Sequence, residues 1–543
     1  VYAPCLVFFL KNKFLGLAIP TMFLFITFGA MSGGLIRMSF FPNVASDRIQ
    51  VTLKMPQGTS EHITDSVITK IEDAAWRVNQ QLTERQTDNL QVVENIIRKI
   101  GPGTSNASLS INLLPGESRD FPSFAIASAL EDEVGVLYGV ESIEYGAGTN
   151  FGGKPISVSI MGSNIEELKG AKELLKNAYQ QNPLLKDISD NDPAGIKEIE
   201  LKLKENAYAM GFNFNDVINQ VRSGFFGNQV QRFQRGRDEI RVWVRYDREE
   251  RSSIQNLDQM RIVSTTGERV PLNEIASYTI ERGEISINHL DGKREINVQA
   301  DLKNPKNSPT EIMAELQAQL LPVIQAQFPS VTASFEGQNR EAGKVTGSAT
   351  QVLPIALFMI YVLIAFTFRS LSQPLLLILM IPFSLIGVAW GHYIHDLPIN
   401  ILSFLGIIAL IGIVVNDGLV LIGKFNSFLK QGVNFDEALI AAGKSRFRAI
   451  FLTSLTTVAG LSPLILEKSR QAQFLIPMAV SISYGIMLAT LLTLLMLPLL
   501  LSIGNKFKVY GKWLKTGKKP TEEEVERAII EQKVEEEEAY EIA

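Results

Sequence analysis

Apolar residues concentrate in two blocks, Phe14 to Ile36 and Gln351 to Ile503, and between them the chain has the mixed patterning of a water-soluble domain. An apolar window of about 20 residues spans the hydrocarbon of a bilayer. Six such windows occur, near 14–36, 351–368, 374–394, 400–424, 447–466 and 474–503. Asp396, Pro398 and Asn400, and then Glu467 to Arg470, divide the long second block into separate helices. Alternating helices bring Lys11, Lys13, Arg369, Lys430, Lys444, Arg446, Arg448, Lys506, Lys508 and Lys512 to one side, against Lys468 and Arg470 on the other. The Lys/Arg-rich side faces the cytoplasm, so the region from about 38 to 345 is extracytoplasmic.

Within that region the pattern runs strand (49–54), helix (59–77), strand (91–99), strand (107–113). Segments 156–161, 165–178, 186–188 and 198–202 repeat that order, and 295–302, 310–326 and 331–336 form a third βα unit closed by a strand. Split βαβ units of this ferredoxin-like kind lay helices on one face of an antiparallel sheet. The piece from about 203 to 292 differs in pattern and is expected to be an inserted domain. The expected class is an α+β membrane protein. Its expected divisions are 1–37 (first spanning helix), 38–150, 151–202 with 293–345, 203–292 (insert), 346–505 (five helices) and 506–543 (charged tail).

With 543 residues the chain needs several structural units, and a net charge of −5 gives no basic footprint for nucleic acid. Cys5 is the only cysteine, which rules out an internal disulfide and a cysteine metal cluster. The extracytoplasmic histidines, His62 and His289, lack metal-ligand spacing, and no glycine-rich phosphate loop is present, so the chain does not read as an enzyme. The chain begins at Val1 and runs at once into an apolar segment without a cleavage pattern, which reads as a truncated start.

The chemistry lies in the membrane. Asp417 interrupts an otherwise apolar helix, where an ionised carboxylate costs about 2.5–3.5 kcal/mol or more, and such a group is expected to carry function. On the next helix Arg446, Thr453, Thr457 and Gly460 follow spacings of seven, four and three, a single stripe expected to look inward. Gly406, Gly412 and Gly418 are expected to let helices approach closely. Phe121, Phe124 and Phe151 are candidates for an apolar cleft, with core packing as the alternative.

Several motifs together resemble the resistance-nodulation-division superfamily of proton-driven efflux transporters, in particular the C-terminal half of its hydrophobe and multidrug exporter branch. They are Phe41-Pro42, Met55 to Ser60, Gly227 to Val230 with Arg241 to Arg245, Gly412 to Gly418, and Arg446 to Ile450 with Leu452 to Leu455. The resemblance implies a multi-pass protein of the bacterial inner membrane, with a periplasmic porter domain and the 203–292 insert as its docking domain. It also implies a homotrimer, pairing with an N-terminal half, a periplasmic adaptor and an outer-membrane channel as partners, and no cofactor beyond the proton motive force. Arg446 and Thr453 match the family's proton relay. Where the family places a lysine this chain has Asn416, so either Asp417 carries a proton itself or Asn416 bonds to carboxylates of the other half. Metal-exporting relatives use a methionine cluster, whereas Met55, Met161, Met210, Met260 and Met313 are scattered. The expected cargo is therefore a small hydrophobic or amphiphilic compound. The alternative is a related protein or lipid exporter or envelope assembly factor.

Overall fold

A computed structural model describes residues 2–42, 44–149, 152–305 and 307–542. The chain opens with α1 (Tyr2–Lys11) and α2 (Lys13–Ser32). A first module follows: β1 (Val44–Lys54), α3 (Glu61–Thr83), β2 (Val93–Ile100), β3 (Asn106–Leu113), α4 (Ser123–Val134) and β4 (Ser142–Thr149). Its sheet runs β2-β3-β1-β4 with every pair antiparallel, the split βαβ arrangement. Every second residue of β3 is buried, because one face of the sheet carries the helices. Ile49, Val51 and Leu53 of β1 share a core with the stripe Ile68, Ile71, Ala75 and Val78 of α3 and with Ile126 and Leu130 of α4.

The second module is interrupted. β5 (Ile156–Gly162), α5 (Ile165–Gln181) and β6 (Leu185–Asp190) form its first half, with Asn164 capping α5 through the N–H groups of Glu166 and Glu167. A separate compact unit then forms from Asp192–Ile287 together with Pro56–Gly58. It contains β7 (Lys197–Leu203), α6 (Glu205–Ala209), α7 (Phe214–Phe225), β8 (Asn228–Arg235), β9 (Asp238–Val244), α8 (Ile254–Gln259), β10 (Arg261–Val263), β11 (Arg269–Pro271), α9 (Leu272–Ile275) and β12 (Ala276–Arg282). Phe212, Val217, Leu257, Ile262 and Ile275 make its small core, and the β8–β9 hairpin is almost wholly exposed. β13 (Asn288–Leu290), β14 (Lys293–Leu302), α10 (Pro309–Gln327) and β15 (Thr332–Phe335) then complete the second module. Its strands run β6-β14-β5-β15, the same order as the first module, with β13 extending the β6 edge.

Three expected repeats are therefore two. The strand at 198–202 does not close a repeat with β5; it is β7, and it pairs with β12 inside the inserted unit. The 295–336 segment is not a third unit but the second half of the second. Period-2 patterning marks a strand without naming its partner, so an insertion between β6 and β14 is invisible to it.

The rest of the chain is helical: α11 (Gln338–Phe368), α12 (Ser372–Ile394), α13 (Ile401–Lys430), α14 (Phe435–Leu466), α15 (Arg470–Thr516) and α16 (Arg527–Ile542). Among the described residues α2 and α11–α15 are the six helices long and apolar enough to cross a membrane. In α15, 72% of the apolar window is buried, against 6% in α11, so α15 is the hub and α11 lies at the rim. Leu377, Phe383, Leu410, Leu421, Phe425 and Leu497 belong to the shared core, and Trp390 Nε1 donates to Thr27 Oγ1 at 3.0 Å to tie α12 to α2. The charged tail is anchored: Glu531 accepts from Arg369 at 2.8 Å and from Lys430 at 3.2 Å, and buried Glu526 accepts from Asn505 at 2.8 Å and Lys508 at 3.0 Å.

Candidate functional site in the helical bundle

Helix α13 carries the buried acid, and its start is tightly defined. Asn400 Oδ1 accepts from the N–H groups of Leu402 and Ser403, and Ser403 Oγ accepts from the Asn400 N–H, a complete capping box. Ser403 also meets Nε2 of His392 at 2.7 Å, while Nδ1 of His392 lies 2.9 Å from the Val388 carbonyl. A carbonyl only accepts, so Nδ1 holds the proton and Nε2 accepts the Ser403 hydroxyl. One turn further, Gly406 presses against α15: a Cβ there would lie 2.7 Å from the Met478 carbonyl oxygen. Gly418 packs in the same way against Leu377 of α12.

Between these two glycines Asp417 is 7% exposed, in the turn between buried Val414 and Leu421. No hydrogen bond or ion pair reaches its carboxylate among the described residues. Asn416, one residue earlier, is exposed, and so is Gly412, whose Cβ position has nothing within 4 Å. Arg446 of α14 is half-buried, with an enclosed Nε that has no partner. Thr453 is exposed, and its hydroxyl donates to the Ile450 carbonyl of its own helix at 2.9 Å. The four residues Asp417, Asn416, Arg446 and Thr453 are thus not joined by hydrogen bonds within this chain.

The α14 stripe is split: Arg446 and Thr457 are half-buried, whereas two of its members do not look inward as expected. Thr453 and Gly460 face outward, and the inward residue is Ser454, which bonds Thr490 of α15. Helical spacing fixes which residues share a face but not the direction in which that face points. The open faces of α13 and α14 therefore carry Asn416, Gly412, Thr453 and Gly460 together with exposed Phe404, Ile408 and Leu452.

Sequence reasoning passed over His392 and His395. The His-x-x-His pair ending an apolar helix was the available signal; His392 is fully buried, and His395 Nε2 lies 3.1 Å from the Tyr484 hydroxyl. Above them Asn400 lines a cavity of about 480 Å³ with Pro122, Phe124, Lys303, Gln473 and Ile476. Phe124 thus reaches a cavity wall, Phe121 packs on the first module's core, and Phe151 lies outside the described residues. Met55, Met313 and Met260 are buried in three different cores, and among the described residues no three His, Cys, Asp or Glu side chains are grouped to hold a metal ion.

The sequence profile of the AcrB/AcrD/AcrF family matches residues 1–503. The chain belongs to the AcrB/AcrD/AcrF family. Relatives include the cobalt-zinc-cadmium resistance protein CzcA of Cupriavidus metallidurans and the cation efflux system protein CzcA of an Alcaligenes species. Each is 26% identical over 357 residues, covering 65% of this chain and 33% of the relative. Two crystal forms of a heavy metal efflux pump share the fold, with TM-scores of 0.77 and 0.74 at 19% and 18% identity, covering 92% and 90% of this chain. The chain spans about a third of the length of those relatives and about half of those structures. The resistance-nodulation-division assignment stands. These relatives and structures are named for metal and cation efflux, whereas the sequence resemblance pointed to the hydrophobe and multidrug branch.

Proposed function

We propose that this chain is one half of a proton-driven efflux transporter of the bacterial inner membrane, with Asp417 as its proton carrier. The observation that carries this reading is a carboxyl buried within an apolar helix, with no partner among the described residues. Holding it ionised in the bilayer costs about 2.5–3.5 kcal/mol or more, so charging and discharging it does conformational work. One proton moving through about 100 mV releases about 2.3 kcal/mol, comparable with that cost. Asn416 and Thr453 lie on open helix faces, which suits contact with a second half-transporter, and Arg446 offers an unpartnered donor toward the same assembly. The modules between α2 and α11 are the periplasmic porter. The inserted unit, with its exposed β8–β9 hairpin bearing Val242 and Trp243, is the docking surface for an adaptor and an outer-membrane channel in a homotrimer.

The cargo is a divalent transition-metal cation, by analogy with the relatives named for cobalt, zinc, cadmium and heavy-metal efflux. A small amphiphile is the second reading, favoured by the 480 Å³ cavity with its mixed lining of Phe124, Ile476, Lys303 and Asn400. The test reconstitutes the chain with its other half in proteoliposomes and imposes a pH gradient. Zinc or cobalt movement that stops in Asp417→Asn supports the proposal; unchanged movement rejects Asp417 as carrier. Movement of an amphiphilic dye but not of metal selects the second reading.

A further inference from the structure

The two sheet modules meet along β4 and β6, and an unusual carboxyl stands at that seam. Gln299 pairs with Ser189 and Asp301 with Lys186, so Asp187 and Ile188 together oppose Ala300 in a β-bulge. Asp187 takes the left-handed backbone conformation there, with φ of 51°, which an aspartate tolerates better than most residues. The bulge turns its side chain out of its own ladder and toward the first module. Oδ2 accepts the N–H of Tyr145 on the outer edge of β4, at 3.4 Å, and the side chain is only 4% exposed.

Charged groups from every element at the seam face it. Lys186, beside it on β6, lies 3.9 Å from Oδ2 and also reaches Glu131 of α4 at 3.6 Å. Lys154, just before β5, bridges Glu144 of β4 at 3.0 Å and Asp301 of β14 at 3.5 Å. Four carboxyls thus share two ammonium groups, and three of the contacts cross between modules: Tyr145 with Asp187, Lys154 with Glu144, and Lys186 with Glu131.

We propose that Asp187 is a proton-binding site, outside the membrane helices, that couples proton uptake to closure of the seam between the two sheet modules. The closed seam removes water from Asp187 while Asp301 and Glu131 add negative charge, and the two lysines are shared with other acids. Burial, opposed by Lys186 and Lys154 and reinforced by Asp301 and Glu131, pushes its carboxyl up to about 6. Lys154 stays charged, because Asp301 and Glu144 outweigh the effect of its burial. When the modules part, Asp187 is hydrated and returns toward an ordinary carboxylate. The closed seam therefore takes up a proton that the open seam releases, and between pH 4 and pH 7 the balance shifts toward opening by on the order of 100-fold.

The experiment is hydrogen exchange on the full chain in nanodiscs from pH 5 to pH 8, corrected for intrinsic rates. Protection of the β4 and β6 amides should fall at least tenfold across that range in the wild type. In Asp187→Asn, which keeps the shape and tolerates the same backbone, protection should be high and independent of pH. A flat wild-type profile, or a variant that keeps the wild-type slope, overturns the proposal. If the variant does not fold, carboxyl-labelled wild-type protein decides: an aspartate titrating between pH 5 and 7 together with the exchange change supports the site. Aspartates that all titrate below pH 5 reject it.

Discussion

His392 and Ser403 fasten the end of α12 to the start of α13: Nε2 of the imidazole accepts the Ser403 hydroxyl at 2.7 Å, and both side chains are fully buried. The same hydroxyl completes the cap of the helix that carries Asp417. Ser403→Ala leaves the Asn400 cap in place but removes the reciprocal half of the capping box and strands a buried ring nitrogen. The expected loss is about 1–3 kcal/mol, from the unmet buried ring nitrogen together with the Asn400 N–H that loses its partner. Thermal unfolding in detergent measures it, and Ser403→Thr, which keeps the hydroxyl, should recover most of the loss. Equal losses in the two variants would show that the hydroxyl is not what matters.

Asn416 and Asp417 call for opposite experiments although they are adjacent. Asp417 is buried without a partner among the described residues, so Asp417→Leu should raise the stability of the isolated chain by about 1–3 kcal/mol; on the proposed function it should also abolish proton coupling in the assembled transporter. Asn416 is exposed here, so Asn416→Leu should leave that stability within about 0.5 kcal/mol. A destabilised Asp417→Leu chain would mean that the carboxyl is structural.

Gly406 and Gly412 separate two meanings of a glycine in a membrane helix. A Cβ on Gly406 meets the Met478 carbonyl oxygen and the Ser481 Cβ at 2.7 Å, and backbone cannot yield. Gly406→Ala should cost about 1–3 kcal/mol through overpacking. Gly412 has nothing within 4 Å, so Gly412→Ala should gain up to about 1 kcal/mol in helix propensity when the chain is studied alone. Similar unfolding midpoints for the two variants would refute the distinction.

The glycine pair also illustrates what a sequence can and cannot reveal. All three glycines were expected to pack helices, and Gly406 and Gly418 do, but Gly412 occupies an open face. The six long apolar helices were legible because twenty consecutive apolar residues have few alternatives. Their ends were not: α11 begins at Gln338, thirteen residues before its apolar window, since a helix continues through polar sequence when nothing stops it. The buried acid was legible from its cost. The outward turn of Thr453 was not, because periodicity carries no reference direction. The His392–Ser403 link joins residues eleven apart on different helices, which no single-helix pattern encodes.

Glu526 fixes the tail. Buried at 2% exposure, it accepts from Asn505 and Lys508 of α15. Glu526→Ala leaves Lys508 without its partner and should cost about 3 kcal/mol locally. The tail should then detach and be cut by protease within α16, with the six apolar helices still protected. A tail that resists proteolysis as in the wild type would show that the Glu531 contacts alone suffice.

Asp187 sets a pH dependence of folding stability whose sign is fixed by its direction. Its carboxyl rises from the ordinary value of 3.8 to about 6 on folding, so between those values the folded chain holds a proton that the unfolded chain has lost. Stability is therefore highest at acid pH with respect to this group, and it declines as pH rises toward 6 and then levels off. At about 1.4 kcal/mol per pH unit, the span from 3.8 to about 6 is worth roughly 3 kcal/mol. Asp187→Asn has no proton to lose, so denaturant unfolding should find the two chains similar near pH 4 and the variant more stable by up to that amount at pH 7. A difference that does not change with pH would mean that Asp187 contributes shape to the bulge but not charge.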